Sequence, residues 1–210
     1  MNIILVTFFS YIIGSIPFGL ILTKSFSKTD IRKIGSGNIG ATNVLRTGNK
    51  FLAALTLLLD TIKGYIAVTI TLKYFPELLP LSCLLVFLGH LFPVWLNFKG
   101  GKGVATYLGV LFALSIQLSL LFIFTWVVVS LIFKYSSVSS MFSSLTVLIV
   151  SLIKDTALKS FEVKSQFDHD ITLILFIFFI LIIFTHKKNI SNLKNKTERK
   201  IKIWAIKPFF

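Results

Sequence analysis

Long apolar runs alternate with short polar stretches along the whole chain. The first run, Ile3–Leu22, is about 20 residues long, enough for one membrane crossing. Within it, Gly14, Ser15 and Gly19 permit close helix packing, and Pro17 predicts a kink near its end. Phe51–Phe75 and Leu81–Leu96 predict the second and third spans, with a turn at Pro76, Glu77 and Pro80 between them. Val104–Phe133 is longer: at 1.5 Å per residue it extends about 45 Å, against a hydrocarbon core of about 30 Å. The weak spot Ser115-Ile116-Gln117 leaves two readings, one tilted helix or two short segments turning near Gln117. A hydroxyl-rich gap, Lys134–Ser140, overlaps the start of a span over Ser139–Ile153. A mixed-charge loop follows over Lys154–Asp170, with Lys154, Lys159 and Lys164 against Asp155, Glu162, Asp168 and Asp170. Ile171–Thr185 is a short, dense apolar run, and a basic tail fills 186–210.

Composition agrees with that pattern. Of 210 residues, 55% are hydrophobic, and mean hydropathy is +0.85. Soluble domains typically hold ~45–50% apolar residues. The chain therefore reads as an all-α integral membrane protein, one membrane-embedded domain over 1–210. Its only cysteine, Cys83, cannot form an internal disulfide. The start, MNIILVTFF, has no basic flank, so it reads as a retained first span. A net charge of +14 would suggest nucleic acid in a soluble protein. Here the charges lie between and after apolar runs, which points to topology and to anionic ligands or lipids.

Lysines and arginines gather at 24–50, at Lys99 and Lys102, and in the tail (Lys187, Lys188, Lys194, Lys196, Arg199, Lys200, Lys202, Lys207). The positive-inside rule places all three in the cytoplasm. That requires 104–133 to cross twice or to re-enter. The expectation is seven transmembrane helices, the fourth and fifth short, with the N-terminus outside and the C-terminus cytoplasmic. One face then collects four polar elements: GSGNIGATNVLR at Gly35–Arg46, KGGKG at Lys99–Gly103, SSVSS at Ser136–Ser140 and HKKNISNL from His186.

Glycines admit backbone N–H groups to an anion, and short polar side chains add donors without bulk. A Gly/Asn/Ser-rich stretch between spans can equally be a linker, and KGGKG can be a membrane anchor. The spacing in KGGKG does not fit a Walker A loop. Asp60 and Lys63, three apart within the second span, read as a buried pair. Neither His90 nor His186 has a second ligand at metal spacing, so no metal is expected.

These residues resemble a known family. GSIPFG, GSGNIGATNVLR, LDTIKG, GHLFPVWLNFKGGKGVAT, KYSSVSS and HKKNISNLKNKTE look like the successive signatures of bacterial acyl-phosphate-dependent glycerol-3-phosphate acyltransferases, from Gly14 to about Glu198. The third motif departs from the pattern: Lys187, Asn192 and Lys196 stand where Arg, Arg and Gly are usual. Lysine keeps charge at 187 without bidentate geometry. The resemblance implies acyl transfer from acyl phosphate to the 1-hydroxyl of glycerol 3-phosphate, giving lysophosphatidic acid and phosphate. It implies a seven-helix fold in the bacterial inner membrane with a cytoplasmic site, no cofactor, and membrane lipid as surroundings. A soluble enzyme that makes acyl phosphate would be the partner; nucleic acid would not. On this reading Ser36, Arg46, Lys102, His186 and Asn189 bind and orient phosphates. Gly37, Asn38, Thr42, Asn43, Lys99, Gly100, Gly101 and Gly103 complete an anion cradle, Ser136 and Ser137 line the site, and Glu198 anchors the tail. No Ser/His/Asp order supports a serine nucleophile, so the glycerol hydroxyl attacks directly, its proton going to the donor's phosphate or to His186. Competing readings are an anion transporter, which predicts polar groups near the midplane and often an internal repeat, and a lipid-binding scaffold.

Overall fold

The computed structural model describes residues 1–160 and 169–201. Every apolar run folds as helix. α1 (Asn2–Ser15) and α2 (Phe18–Ser27) share the first run and part at Ile16. A proline disfavours the helical conformation of the residue before it, and Ile16 is extended, with φ −64° and ψ 115°. A five-residue helix, α3 (Ala41–Leu45), lies in the first polar loop. α4 (Lys50–Tyr74) starts on an Asn49 cap, whose side chain accepts the Leu52 N–H at 3.0 Å. α5 (Leu79–Leu91) follows a short turn, and α6 (Val104–Leu114) follows the KGGKG loop.

The long run 104–133 breaks at Ser115, two residues before the expected position. Ser115 is extended, and its hydroxyl caps α7 (Ile116–Phe133) through the Leu118 N–H. A continuous helix would separate residues 107 and 122 by about 22 Å. Their rings instead meet edge to face with centroids 5.4 Å apart, so the chain doubles back. Of the two segments only α6 is short, with 11 residues against 18 in α7.

α8 (Ser136–Ser160) also differs from expectation. Helix continues past Lys154 to Ser160, where a loop was expected. Glu162, Lys164 and Asp168 of that expected loop, and Lys202 and Lys207 of the tail, lie outside the described residues. α9 (His169–Thr185) and α10 (Lys187–Lys194) bend by 53° at His186.

Among the described residues five helices are long and apolar enough to cross a membrane, six if the bent pair α9–α10 counts as one span; α6 is a shorter apolar helix. Lipid-facing side chains such as Phe8, Phe124 and Ile153 are exposed. Inside, Phe87 of α5, Tyr107 of α6, Phe122 of α7 and Phe178 of α9 meet in the main core. α4 and α6 approach closely where side chains are missing: a Cβ on Gly109 would lie 1.9 Å from the Thr61 carbonyl oxygen. That contact brings the N-terminal end of α6 beside α4, which carries the first polar loop.

Candidate active site

The first polar loop is a folded unit. Ile31 and Val44 are fully buried with Leu20, Ile39 and Leu52 in a small core of their own. Asn43 ties the loop together. Its Nδ2 donates to the carbonyls of Ile31, Ile34 and Asn38 at 3.1, 2.9 and 2.8 Å. Its Oδ1 accepts from the Ser36 N–H at 3.0 Å and from Arg46 Nη1 at 3.3 Å. Gly35 and Gly37 supply the positive φ of 58° and 73° that the curl requires. Asn43, expected in the anion cradle, lines the site cavity, and its amide hydrogens hold the loop in shape. Gly37 does not line the cavity described below, and its N–H goes to the Ile34 carbonyl at 2.9 Å.

The KGGKG loop spends its amides in the same way. Gly100 and Gly101 donate to the carbonyls of Leu91 and His90, each at 3.0 Å, and so satisfy the end of α5. A Cβ on Gly101 would fall 2.0 Å from His90 Nε2. Neither glycine lines the cavity, and Lys99 is exposed outside it. Lys102 and Gly103 do line it.

The two loops, the start of α8 and the α9–α10 bend enclose one cavity of about 350 Å³. Its polar end holds Ser36, Asn38, Thr42, Asn43, Arg46, Lys102, Ser136, Ser137, His186, Asn189, Glu198 and Arg199. Its other end is apolar, formed by Leu57 of α4, Leu108 of α6, and Phe122, Ile123, Trp126 and Val127 of α7. Hydrogen bonds join the polar groups. Lys102 Nζ donates to Asn189 Oδ1, and Asn189 Nδ2 donates to Glu198 Oε1 at 2.6 Å. Glu198 also accepts from Ser137 at 3.1 Å and from Asn192 at 3.2 Å. The Thr42 and Ser136 hydroxyls meet at 3.2 Å.

Burial shapes the charges. It pushes the Lys102 ammonium down to about 8, with Arg46 and Lys188 adding to the shift and Glu198 opposing it. His186 is pushed down to about 4, chiefly by burial and then by the Lys102 charge. Its Nδ1 sits 2.8 Å from the Ile182 carbonyl. A neutral imidazole that donates there leaves Nε2 as a free acceptor. Arg46 is lowered by burial and then by the charge of Arg199.

Asp60 and His90 reach the cavity wall from inside the bundle. Lys63 Nζ lies 2.7 Å from Asp60 Oδ1, donates to the Ile16 carbonyl at 2.9 Å, and meets His90 Nδ1 at 2.9 Å. The expected pair is therefore part of a larger network that joins the α1–α2 break, α4 and α5.

Arg199 and the apolar wall were absent from the residues singled out by sequence. Arg199 directly follows Glu198, which was the available signal. Phe122 and Trp126 lie in a uniformly apolar run that gives no clue to which face meets a cavity. In the altered third motif, Lys187 lies over the Phe184 ring at 4.7 Å, Asn192 serves Glu198, and Lys196 has a φ of 57°. No group of three or more histidine, cysteine or acidic side chains able to hold a metal occurs among the described residues.

A bundle of apolar helices enclosing a cavity that is cationic at one end and apolar at the other defines a membrane enzyme for anionic, chain-bearing substrates. The family model described as glycerol-3-phosphate acyltransferase matches residues 4–196. Glycerol-3-phosphate acyltransferases of Pelagibacter ubique and Mesorhizobium japonicum are 49% and 48% identical to this chain. They cover 97% and 95% of it, and 100% and 96% of their own lengths are matched. The crystal structure of PlsY (YgiH), an integral membrane glycerol 3-phosphate acyltransferase in its glycerol 3-phosphate form, superposes with a TM-score of 0.86 at 32% identity. The match covers 95% of this chain and 96% of that one. Its lysophosphatidic acid form gives 0.83. The chain belongs to the glycerol-3-phosphate acyltransferase family, and it is an acyltransferase.

Proposed function

We propose that the protein transfers a fatty acyl group from acyl phosphate to the 1-hydroxyl of glycerol 3-phosphate, giving lysophosphatidic acid and orthophosphate. The observation that carries this reading is the two-ended cavity: Arg46 and Lys102 offer cations for phosphate where the apolar wall of α4, α6 and α7 can take an acyl chain. The N-terminal ends of α6 and α8 also line it, and helix N-termini favour anions.

Acyl phosphate already carries a good leaving group, so the protein's task is positioning and charge stabilisation. Lys102, held by Asn189, and Arg46, held by Asn43, orient the phosphates, with Ser36, Asn38, Thr42, Ser136 and Ser137 as short-range partners. The hydroxyl oxygen of glycerol attacks the acyl carbon. The bond from that carbon to the phosphate oxygen breaks, and phosphate leaves with the electron pair. The hydroxyl proton goes to the donor's phosphate or to His186 Nε2. A histidine held at about 4 is a weak base, which favours the phosphate. Full activity in His186→Gln would exclude the histidine route.

The same reading places seven segments in the bacterial inner membrane, with the N-terminus outside and the site cytoplasmic. The doubling back at Ser115 supports it, since it lets α6 and α7 act as separate segments. A soluble enzyme producing acyl phosphate would supply the donor.

The test uses purified protein in lipid mesophase with palmitoyl phosphate and glycerol 3-phosphate. Wild type should release lysophosphatidate and phosphate, and Arg46→Ala should lose on the order of 100-fold in rate. No product from wild type, with acyl-CoA equally inert, would overturn the proposal.

A further inference from the structure

Beside the catalytic cavity lies a second opening of about 710 Å³, lined by Arg46, Lys50, Arg199 and Lys200 together with Thr42 and Leu45. It shares Thr42, Arg46 and Arg199 with the catalytic cavity, so the two adjoin. No acidic side chain lines it. The nearest carboxylate by sequence, Glu198, is occupied by Ser137, Asn189 and Asn192.

Lys50, Arg199 and Lys200 are exposed, Arg46 is half-buried, and the backbone that carries them is anchored at several points. Lys50 opens α4 beside the Asn49 cap. Arg199 and Lys200 are held between two fixed points, Glu198 on one side and Ile201 on the other. The Ile201 N–H donates to the Lys134 carbonyl at 2.7 Å. Arg46 is held by Asn43. Arg46 and Arg199 line both cavities, and burial and then the Arg199 charge disfavour the charged form of Arg46, a cost that a bound anion would relieve.

We infer that this opening is a second anion site, which takes a phosphomonoester or orthophosphate dianion at the threshold of the catalytic cavity. The inference rests on the acyl-transfer reading for its purpose. Each turnover must admit one soluble phosphate, on glycerol, and release another as orthophosphate, and neither is lipid-anchored. A cationic threshold raises the local concentration of the first and gives the second a stepping point outward. Arg46, common to both compartments, passes the anion between them.

The test uses the full-length protein with Lys50→Gln and Lys200→Gln combined, since neither lysine lines the catalytic cavity. Titration calorimetry with orthophosphate should find one anion site fewer in the variant than in wild type. In turnover, kcat/KM for glycerol 3-phosphate should fall about threefold to tenfold at low salt with kcat held within about twofold, and its salt dependence should flatten. Inhibition by added phosphate should weaken by a similar factor. These changes should be equal in phosphatidylcholine vesicles and in vesicles with phosphatidylglycerol. Unchanged stoichiometry and an unchanged KM would overturn the inference, as would an effect confined to phosphatidylglycerol vesicles, which would assign the opening to a lipid headgroup. Loss of one phosphate site in the variant, with no turnover in wild type, would uphold the second site and sink the acyl-transfer reading instead.

Discussion

The Gly35–Arg46 loop and the Lys99–Gly103 loop look alike in sequence, each rich in glycine and each bearing cations. In the fold their glycines do different work. Gly35 and Gly37 adopt positive φ, so the first loop can wrap around the Asn43 amide. Gly100 and Gly101 allow close approach, so the second loop can lie against the His90 ring and cap α5. Most of these amides are committed within the protein. Each loop also carries a cation to the cavity wall, Arg46 from one and Lys102 from the other, and the proposed function assigns the phosphates to these side chains. A glycine-rich loop is evidence for tight backbone geometry before it is evidence for an amide cradle.

The sharpest way to break the comparison is to add one methyl group to each loop. Gly101→Ala meets the His90 ring and displaces Lys102, and activity should fall on the order of 100-fold while thermal stability also drops. Gly37→Ala meets no atom closer than the Arg32 carbonyl at 3.2 Å and strains only its own φ. It should cost roughly 1–2 kcal/mol with kcat nearly unchanged. Equal losses of activity would mean that both loops present amides to substrate after all.

A smaller effect separates the two cations by pH. Lys102 releases its proton near 8, so kcat/KM for the anionic substrate should decline as pH rises through about 8. Lys102→Arg should remove that decline, because arginine stays charged. Stability runs the other way. The folded pKa lies below the unfolded value, so the unfolded chain binds more protons between about 8 and about 10.4, and stability rises with pH across that window. A kcat/KM profile that is flat from pH 7 to 9 in wild type would remove Lys102 from phosphate binding.

The smallest effect lies where the backbone asks for glycine and the chain has lysine. Lys196 holds a φ of 57°, and Lys196→Gly should stabilise the protein by about 1 kcal/mol without changing kcat. A loss of stability would show that the lysine side chain makes a compensating contact.

The spans were legible because lipid demands long apolar runs and helix is how such a run satisfies its backbone. The break in 104–133 was legible as the weak spot Ser115-Ile116-Gln117; its exact place was not, because it depends on the Ser115 hydroxyl capping the Leu118 N–H. Arg46, Lys102, His186 and Asn189 could be gathered from three distant stretches because each sits in a patterned polar island between apolar runs. The destination of each amide hydrogen was not legible. Gly100 and Gly101 donate to α5, and Asn43 donates to its own loop, choices set by tertiary contacts that composition does not encode. The reach of Asp60 and His90 to the cavity wall depends in the same way on how α4 and α5 are rotated.

Asp60 and Lys63 pair within α4 itself. A lone carboxylate or ammonium at the centre of a helix costs about 2.5–3.5 kcal/mol on entering the bilayer through the translocon. With Lys63 one turn away, Asp60 carries its counter-ion on the same helix. The Ile16 carbonyl, freed by the bend before Pro17, and the His90 ring then meet protons already waiting on Lys63. A pair that looks like an active-site ornament is thereby also a built-in counter-charge for carrying α4 into the membrane.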